Sequence, residues 1–181
     1  MRALIYASLL AAALPAAAQT SSYSDQHARD IKALSADEMA DLLAGRGMRL
    51  ARAAELNRYP GPMHVLELKD QLGLTEAQRA AVQASFARVR GEAQALGAEI
   101  VDRERALDAA FEQQAVSPER LTDATAAIAA LQGRLRAVHL AAHLETRALL
   151  TADQVARYDR LRGYGADAPA APGQHRHQPP G

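Results

Sequence analysis

Residues 74–154 read LTEAQRAAVQASFARVRGEAQALGAEIVDRERALDAAFEQQAVSPERLTDATAAIAALQGRLRAVHLAAHLETRALLTADQ, and this stretch decides the fold. In its first half, apolar residues recur at steps of three, four or seven, with an interruption at Arg103. That spacing puts them on one face of an α-helix and predicts a helix over residues 76–115. The positions are Val82, Phe86, Val89, Ala93, Leu96, Ile100, Leu107 and Phe111.

The second half of the stretch has the same periodicity. Ser117 is a suitable N-cap, and Pro118 follows at the first helical position, where a missing amide hydrogen costs least. Two long amphipathic helices joined by a tight turn near Val116 predict an antiparallel hairpin and an all-α fold. The apolar positions of the second helix are Leu121, Ala124, Ile128, Leu131, Leu135, Val138 and Ala142.

A short motif, Leu-Thr-x-x-Gln, stands at both ends of the hairpin, at residues 74–78 and 150–154. In each copy the threonine hydroxyl is expected to accept from the backbone N–H of the glutamine, whose side chain reaches back to the threonine N–H. The first copy predicts the start of the first long helix. The second predicts a last helix that runs to about Arg162, with Leu150 and Val155 as a hydrophobic staple.

Shorter helices are predicted upstream of the hairpin. Ser35 and Glu38 form another potential capping box, and Gly45 and Gly47 are expected to end the helix that it opens. Tyr59-Pro60-Gly61-Pro62 excludes helix, because the prolines lack a backbone donor and restrict the residues before them. The predicted helices cover residues 36–44, 48–57 and 63–72.

Both ends of the chain differ in composition from the rest. Residues 1–18 have a basic start, an apolar run and a final stretch of alanines, which together are typical of a cleavable secretory signal. Residues 166–181 are rich in Pro, Ala and Gly without periodicity and are expected to be disordered. Between them we expect an N-terminal segment over residues 19–62 and a helical domain over residues 63–165.

Composition narrows the range of functions. Without the predicted signal, 20 basic residues face 21 acidic ones, so no net positive charge favours binding to nucleic acid. The chain has no cysteine, which excludes disulfides and thiolate metal sites. No segment after the signal is apolar enough for stable membrane insertion. No motif indicates a nucleophile or an acid–base pair, so we expect a binding protein rather than an enzyme.

The two Leu-Thr-x-x-Gln boxes around a helical hairpin, in an exported chain without cysteine, resemble the Spy/CpxP family. That resemblance implies a four-helix architecture, a periplasmic location and a homodimer whose curved hairpins form a cradle. It also implies an ATP-independent chaperone or envelope-stress modulator, with unfolded envelope proteins or a stress-sensor protein as partners. The residues expected to contact partners are Arg79, Phe86, Arg88, Arg90 and Arg103.

Two observations weaken the prediction of client binding. The near-neutral charge of the mature chain differs from the basic charge of the best-known family chaperones, and it argues against electrostatic capture of clients. The arginines also fit the solvated side of a helix. A structural adaptor for an envelope sensor is a further alternative.

A metal site is the alternative hypothesis. His139 and His143 are four residues apart and project from one helix face, while His64 and Glu67 share a face of the 63–72 helix. With the hairpin turn near Val116, His139 should lie near Ala93 and His143 near Val89. Imidazoles suit zinc, copper, nickel and cobalt alike, so the ligand type does not select the ion. The histidines also fit a helix surface without metal.

The resemblance supports this alternative only loosely. Metal-sensing relatives of the family bind with residues of an early helix and of the helix before the second box. Alignment on Leu74 puts Phe86 where such a sensor offers a carboxylate. In the tail, His175 and His177 are candidates for opportunistic binding alone.

Overall fold

The computed structural model describes residues 23–164, and these residues contain seven helical segments and no strand. The predicted all-α fold, a long helical hairpin with shorter flanking helices, is confirmed. None of these helices is both long and apolar enough to cross a membrane. The segments are α1 (Ala36–Leu43), α2 (Arg52–Glu55), α3 (Pro62–Glu67), α4 (Lys69–Leu72), α5 (Glu76–Glu112), α6 (Pro118–Leu149) and α7 (Ala152–Arg162).

Helices α5 and α6 form the antiparallel hairpin that the periodicity predicts. The apolar stripe is interrupted at Arg103, but the backbone of α5 continues through it to Glu112. The helix ends three residues earlier than predicted, because Gln114 takes a positive φ of 54°. Ser117 accepts from the backbone N–H of Arg120 and caps α6 as expected.

The N-terminal segment is less helical than predicted. In place of one helix over residues 48–57, the structure has the single-turn α2, because Met48 and Arg49 take left-handed backbone angles, with φ of 42° and 66°. The predicted 63–72 helix is broken at Leu68 into α3 and α4. Counted as one broken helix, α3 and α4 complete the expected four-helix unit with α5, α6 and α7.

The two Leu-Thr-x-x-Gln boxes contact each other. Both form complete capping boxes, at Thr75 and Thr151. Gln78 Nε2 donates to Gln154 Oε1 at 2.9 Å, and Gln154 Nε2 donates to Gln78 Oε1 at 3.1 Å. Gln78 Nε2 also donates to the carbonyl of Leu149. The motif therefore joins the starts of α5 and α7 as well as capping them.

Two separate apolar clusters hold the helices together. The first packs Ile31 and Leu42 of the N-terminal segment on the middle of the hairpin, against residues such as Ala93 and Leu135. The second packs α3, α4 and α7 on the open end of the hairpin, around Tyr158. Between the two clusters, the hairpin faces a cavity.

The predicted signal (1–18) and the predicted disordered tail (166–181), with His175 and His177, lie outside the described residues.

Candidate functional site

The cavity has a volume of about 820 Å³ and lies between the N-terminal segment and the hairpin. Its hairpin wall consists of residues that lie between the two clusters along α5 and α6, which are Phe86, Val89, Arg90, His139, Ala142 and His143. The opposite wall comes mainly from the irregular backbone between α1 and α3. His139, His143 and His64, all predicted from sequence, line this one cavity. Val89 and His143, which the hairpin register predicts to be neighbours, both line this cavity.

His143 is held so that one ring nitrogen is left for a ligand. Its side chain is 13% exposed, and its Nδ1 donates to the carbonyl oxygen of Tyr59 at 2.6 Å. Because a carbonyl can only accept, Nδ1 carries the hydrogen and Nε2 of the neutral ring keeps its lone pair. Gly61 packs against this edge of the ring, where a Cβ would lie 3.0 Å from Nε2. Histidines that bind metals are commonly oriented by such a hydrogen bond from the second nitrogen.

His139 lies one helical turn earlier, against Gly47. Its Nε2 is buried and has no hydrogen-bond partner among the described residues. Burial lowers the pKa of His139 below its usual value, and the charge of His143 lowers this pKa further. The ring is therefore neutral at pH 7, which is the form that binds a metal ion.

His64 and Glu67 are close to each other, but only His64 lines the cavity. Nδ1 of His64 lies 2.9 Å from the Glu67 carboxylate, and the Glu67 side chain is 57% exposed. This pair leaves Nε2 of His64 available, while Glu67 orients the ring and does not reach the cavity. The structure does not bring Glu67 to the other three predicted ligands.

Glu55 is the residue that the sequence analysis missed. Its side chain is 12% exposed and lines the cavity. Oε1 accepts from the hydroxyls of Tyr158 and Tyr164 and lies 3.6 Å from Nε of Arg162, so the carboxylate attaches α7 and Tyr164 to the N-terminal segment.

The other oxygen, Oε2, lies beside Gly61 and His143. It accepts from the Gly61 N–H at 3.2 Å and lies 3.6 Å from Nδ1 of His143. The short helix around Glu55 has no motif that would have singled this residue out from sequence.

The donor types of this cavity fit a transition-metal ion. Imidazole nitrogens and a carboxylate are ligands of zinc, copper, nickel and cobalt, and the orphaned Nε2 of His139 needs a partner. However, within residues 23–164 no three His, Asp or Glu side chains are already close enough to hold one ion. Binding therefore requires side chains such as those of Glu55 and His64 to turn toward the two hairpin histidines.

The five residues predicted to contact protein partners have different surroundings, because some are ion-paired and others line the cavity. Arg79 pairs with Asp70 and Glu76, and Arg88 pairs with Glu92 and Glu145.

Arg103 lies 3.8 Å from Glu99. Phe86 and Arg90 instead line the cavity. Three of the five residues are thus ion-paired and two line the cavity, and the predicted binding of unfolded clients stays a prediction.

Neither the curated proteins nor the solved structures include a match to this chain. A family model described as heavy-metal resistance matches residues 43–157. The match covers more than half of the chain, from the end of α1 to the middle of α7, and includes both Leu-Thr-x-x-Gln boxes and every cavity residue except Asp41 and Tyr164. This family lies within the Spy/CpxP-like superfamily of helical proteins, which confirms the resemblance. The chain therefore belongs to the heavy-metal resistance family.

Proposed function

We propose that this protein binds a divalent transition-metal ion in the bacterial periplasm, through His139 and His143. His64 and Glu55 are the residues that would complete the ligand set. The observation that carries the proposal is the orientation of His143, which lines the cavity. Its Nδ1 donates to the Tyr59 carbonyl, so the lone pair of Nε2 is left for a metal ion. Family membership supports a metal, and the predicted export signal supports the location.

The residues around the cavity explain how metal binding could affect the packing of α7. Glu55 belongs both to the cavity and to the hydrogen-bond network that holds Tyr158, Arg162 and Tyr164. A Glu55 carboxylate that turned toward the histidines would give up these partners, and α7 would lose one of its attachments. Metal binding would in this way change the packing of α7. Such a change suits a metal sensor or a metal-buffering protein.

The test is thermal unfolding and isothermal titration of the mature, tag-free protein with zinc, copper, nickel and cobalt. A metal that binds only the folded state at a hundredfold excess over its Kd adds about 2.7 kcal/mol of stability. The shift should be lost in His139→Ala/His143→Ala. His27→Ala, which removes an exposed histidine outside the cavity, should keep it. No binding of any of the four ions to the parent protein would refute the proposal.

Client binding is the second candidate. Large apolar side chains stay exposed on the hairpin, among them Phe111 at 56% and Leu144 at 58%. Suppression of aggregation of a reduced client protein, unaffected by the His139→Ala/His143→Ala change, would favour this function over the first.

A further inference from the structure

The cavity is far larger than a metal site. With bonds of about 2.1 Å, an ion and its ligand shell occupy on the order of 40 Å³, whereas the cavity measures about 820 Å³. Cavities of about 300–1,000 Å³ are typical of sites for small organic molecules. Most of the space is therefore left over when the histidines hold an ion.

The walls of this space are mostly apolar. Phe86 and Val89 cover the hairpin side, and Met48, Leu56 and Met63 cover the opposite side. Two of these side chains are notably exposed for their type, Met63 at 47% and Leu56 at 58%. Covering them with a hydrocarbon body would be favourable, because apolar surface would be removed from water.

The charged residues of the lining are predominantly basic. Four arginines face two carboxylates, so the lining carries a formal charge of +2 with neutral histidines. Arg46 pairs with Asp41, and Glu55 is engaged by the two tyrosines and Arg162. Among residues 23–164, Arg49, Arg52 and Arg90 have no ion-pair partner. These three arginines, which are all exposed, therefore give the cavity lining an uncompensated positive charge.

We propose that this cavity binds a small amphipathic organic anion, with a carboxylate on Arg49, Arg52 and Arg90 and a hydrocarbon body against Phe86, Met48 and Met63. The charge complements the unpaired arginines, and guanidinium groups bind carboxylates through two parallel hydrogen bonds. The apolar walls select an acid with a substantial hydrocarbon part over acetate or citrate. The residues proposed to hold the anion differ from the proposed metal ligands, although all of them line one cavity, so either function can exist without the other.

The experiment is calorimetric titration of the mature protein with decanoate, with decyltrimethylammonium as the cationic match of equal chain length. We expect decanoate to bind with a stoichiometry of one and the cation to bind at least about tenfold more weakly. Equal affinity for both would overturn the proposal, since a general apolar surface does not distinguish them. Titration with 1-naphthoate then shows, by comparison of its affinity with that of decanoate, whether the cavity prefers an aromatic or an aliphatic hydrocarbon part.

Variants locate the site. Arg90→Gln and Arg52→Gln should each weaken decanoate binding by about tenfold. Arg136→Gln, which removes an exposed arginine outside the cavity that also has no ion-pair partner within residues 23–164, should leave it unchanged. Equal losses in all three variants, or none in Arg90→Gln and Arg52→Gln, would overturn the proposal.

The two functions are separated by crossing the variants. His139→Ala/His143→Ala should retain decanoate binding, and Arg90→Gln should retain metal binding. Loss of metal binding alone in the histidine variant would confirm that the anion site stands by itself.

Discussion

The side-chain amides of Gln78 and Gln154 donate to each other, and each also accepts from the backbone N–H of its own capping threonine. The oxygens and nitrogens of both amides are thereby satisfied at a partly buried junction. Each glutamine is thus shared between its own helix start and the other one. The repeated motif is explained by this junction, because a single capping box would need no copy 76 residues away in sequence.

This junction predicts coupling between the two motifs. Gln78→Ala and Gln154→Ala should each lower the free energy of unfolding by about 1 kcal/mol. The double variant should lose less than the sum, with a coupling energy of about 0.5–1 kcal/mol. Urea unfolding of the four proteins measures this cycle, and strict additivity would show that the reciprocal hydrogen bonds contribute nothing. Gln132→Ala, at an exposed position of α6, serves as the control for loss of an exposed glutamine.

The second prediction concerns the crossing of α1 over α5 at Gly97. A Cβ at Gly97 would lie 2.1 Å from the carbonyl oxygen of Leu42, so Gly97→Ala forces the two backbones apart. We expect a loss of about 1–3 kcal/mol in unfolding free energy. In contrast, a Cβ at Gly91, in the same helix, has nothing within 4 Å, and Gly91→Ala should gain up to about 1 kcal/mol. A chemical denaturation series that ranks both variants on the same side of the parent would contradict this packing.

Local patterns predicted what depends on local spacing. The hairpin, its turn and all three capping boxes follow from residues no more than a few positions apart, such as Thr75 and Gln78. Gly97 carried no such signal, because its role depends on Leu42, far away in sequence. Glu55 is a similar case, since its partners Tyr158 and Tyr164 lie about a hundred residues further along the chain.

The prediction of one helix over residues 48–57 was wrong for a related reason. Residues 48–57 have good helix formers, but tertiary packing of Met48 against the first cluster overrides their local preference. His64, His139 and His143 line one cavity, and the shared helix face of His139 and His143 could be predicted from their spacing of four residues. The size and charge of the cavity could not be predicted, because they depend on the distance between the irregular segment and the hairpin.

The third prediction tests how the hairpin histidine is packed. The backbone of Gly61 has a negative φ, so Gly61→Ala causes no backbone strain. Its Cβ would nevertheless lie 2.9 Å from Cε1 and 3.0 Å from Nε2 of His143, which must move. We expect metal affinity to fall by about tenfold or more while the Tm of the metal-free protein changes little. Gly133→Ala, whose Cβ meets nothing within 4 Å, is the matched control and should keep the parent affinity.

The fourth prediction is a pH dependence caused by His139. Burial, followed by the charge of His143, lowers the pKa of His139 in the folded protein, whereas the unfolded chain takes up this proton near pH 6.5. Below about pH 6.5 the unfolded state therefore binds more protons than the folded one, and the free energy of unfolding falls as the pH falls toward the lowered pKa. Above that pH the contribution is constant. Urea unfolding of the metal-free protein at several pH values between about 7.5 and 5 measures the slope, which should be shallower in His139→Gln than in the parent. His27→Gln, at an exposed position, is the control, because it keeps the carboxylates that titrate in the same range. An equally steep slope in His139→Gln and His27→Gln would show that His139 titrates as in the unfolded chain.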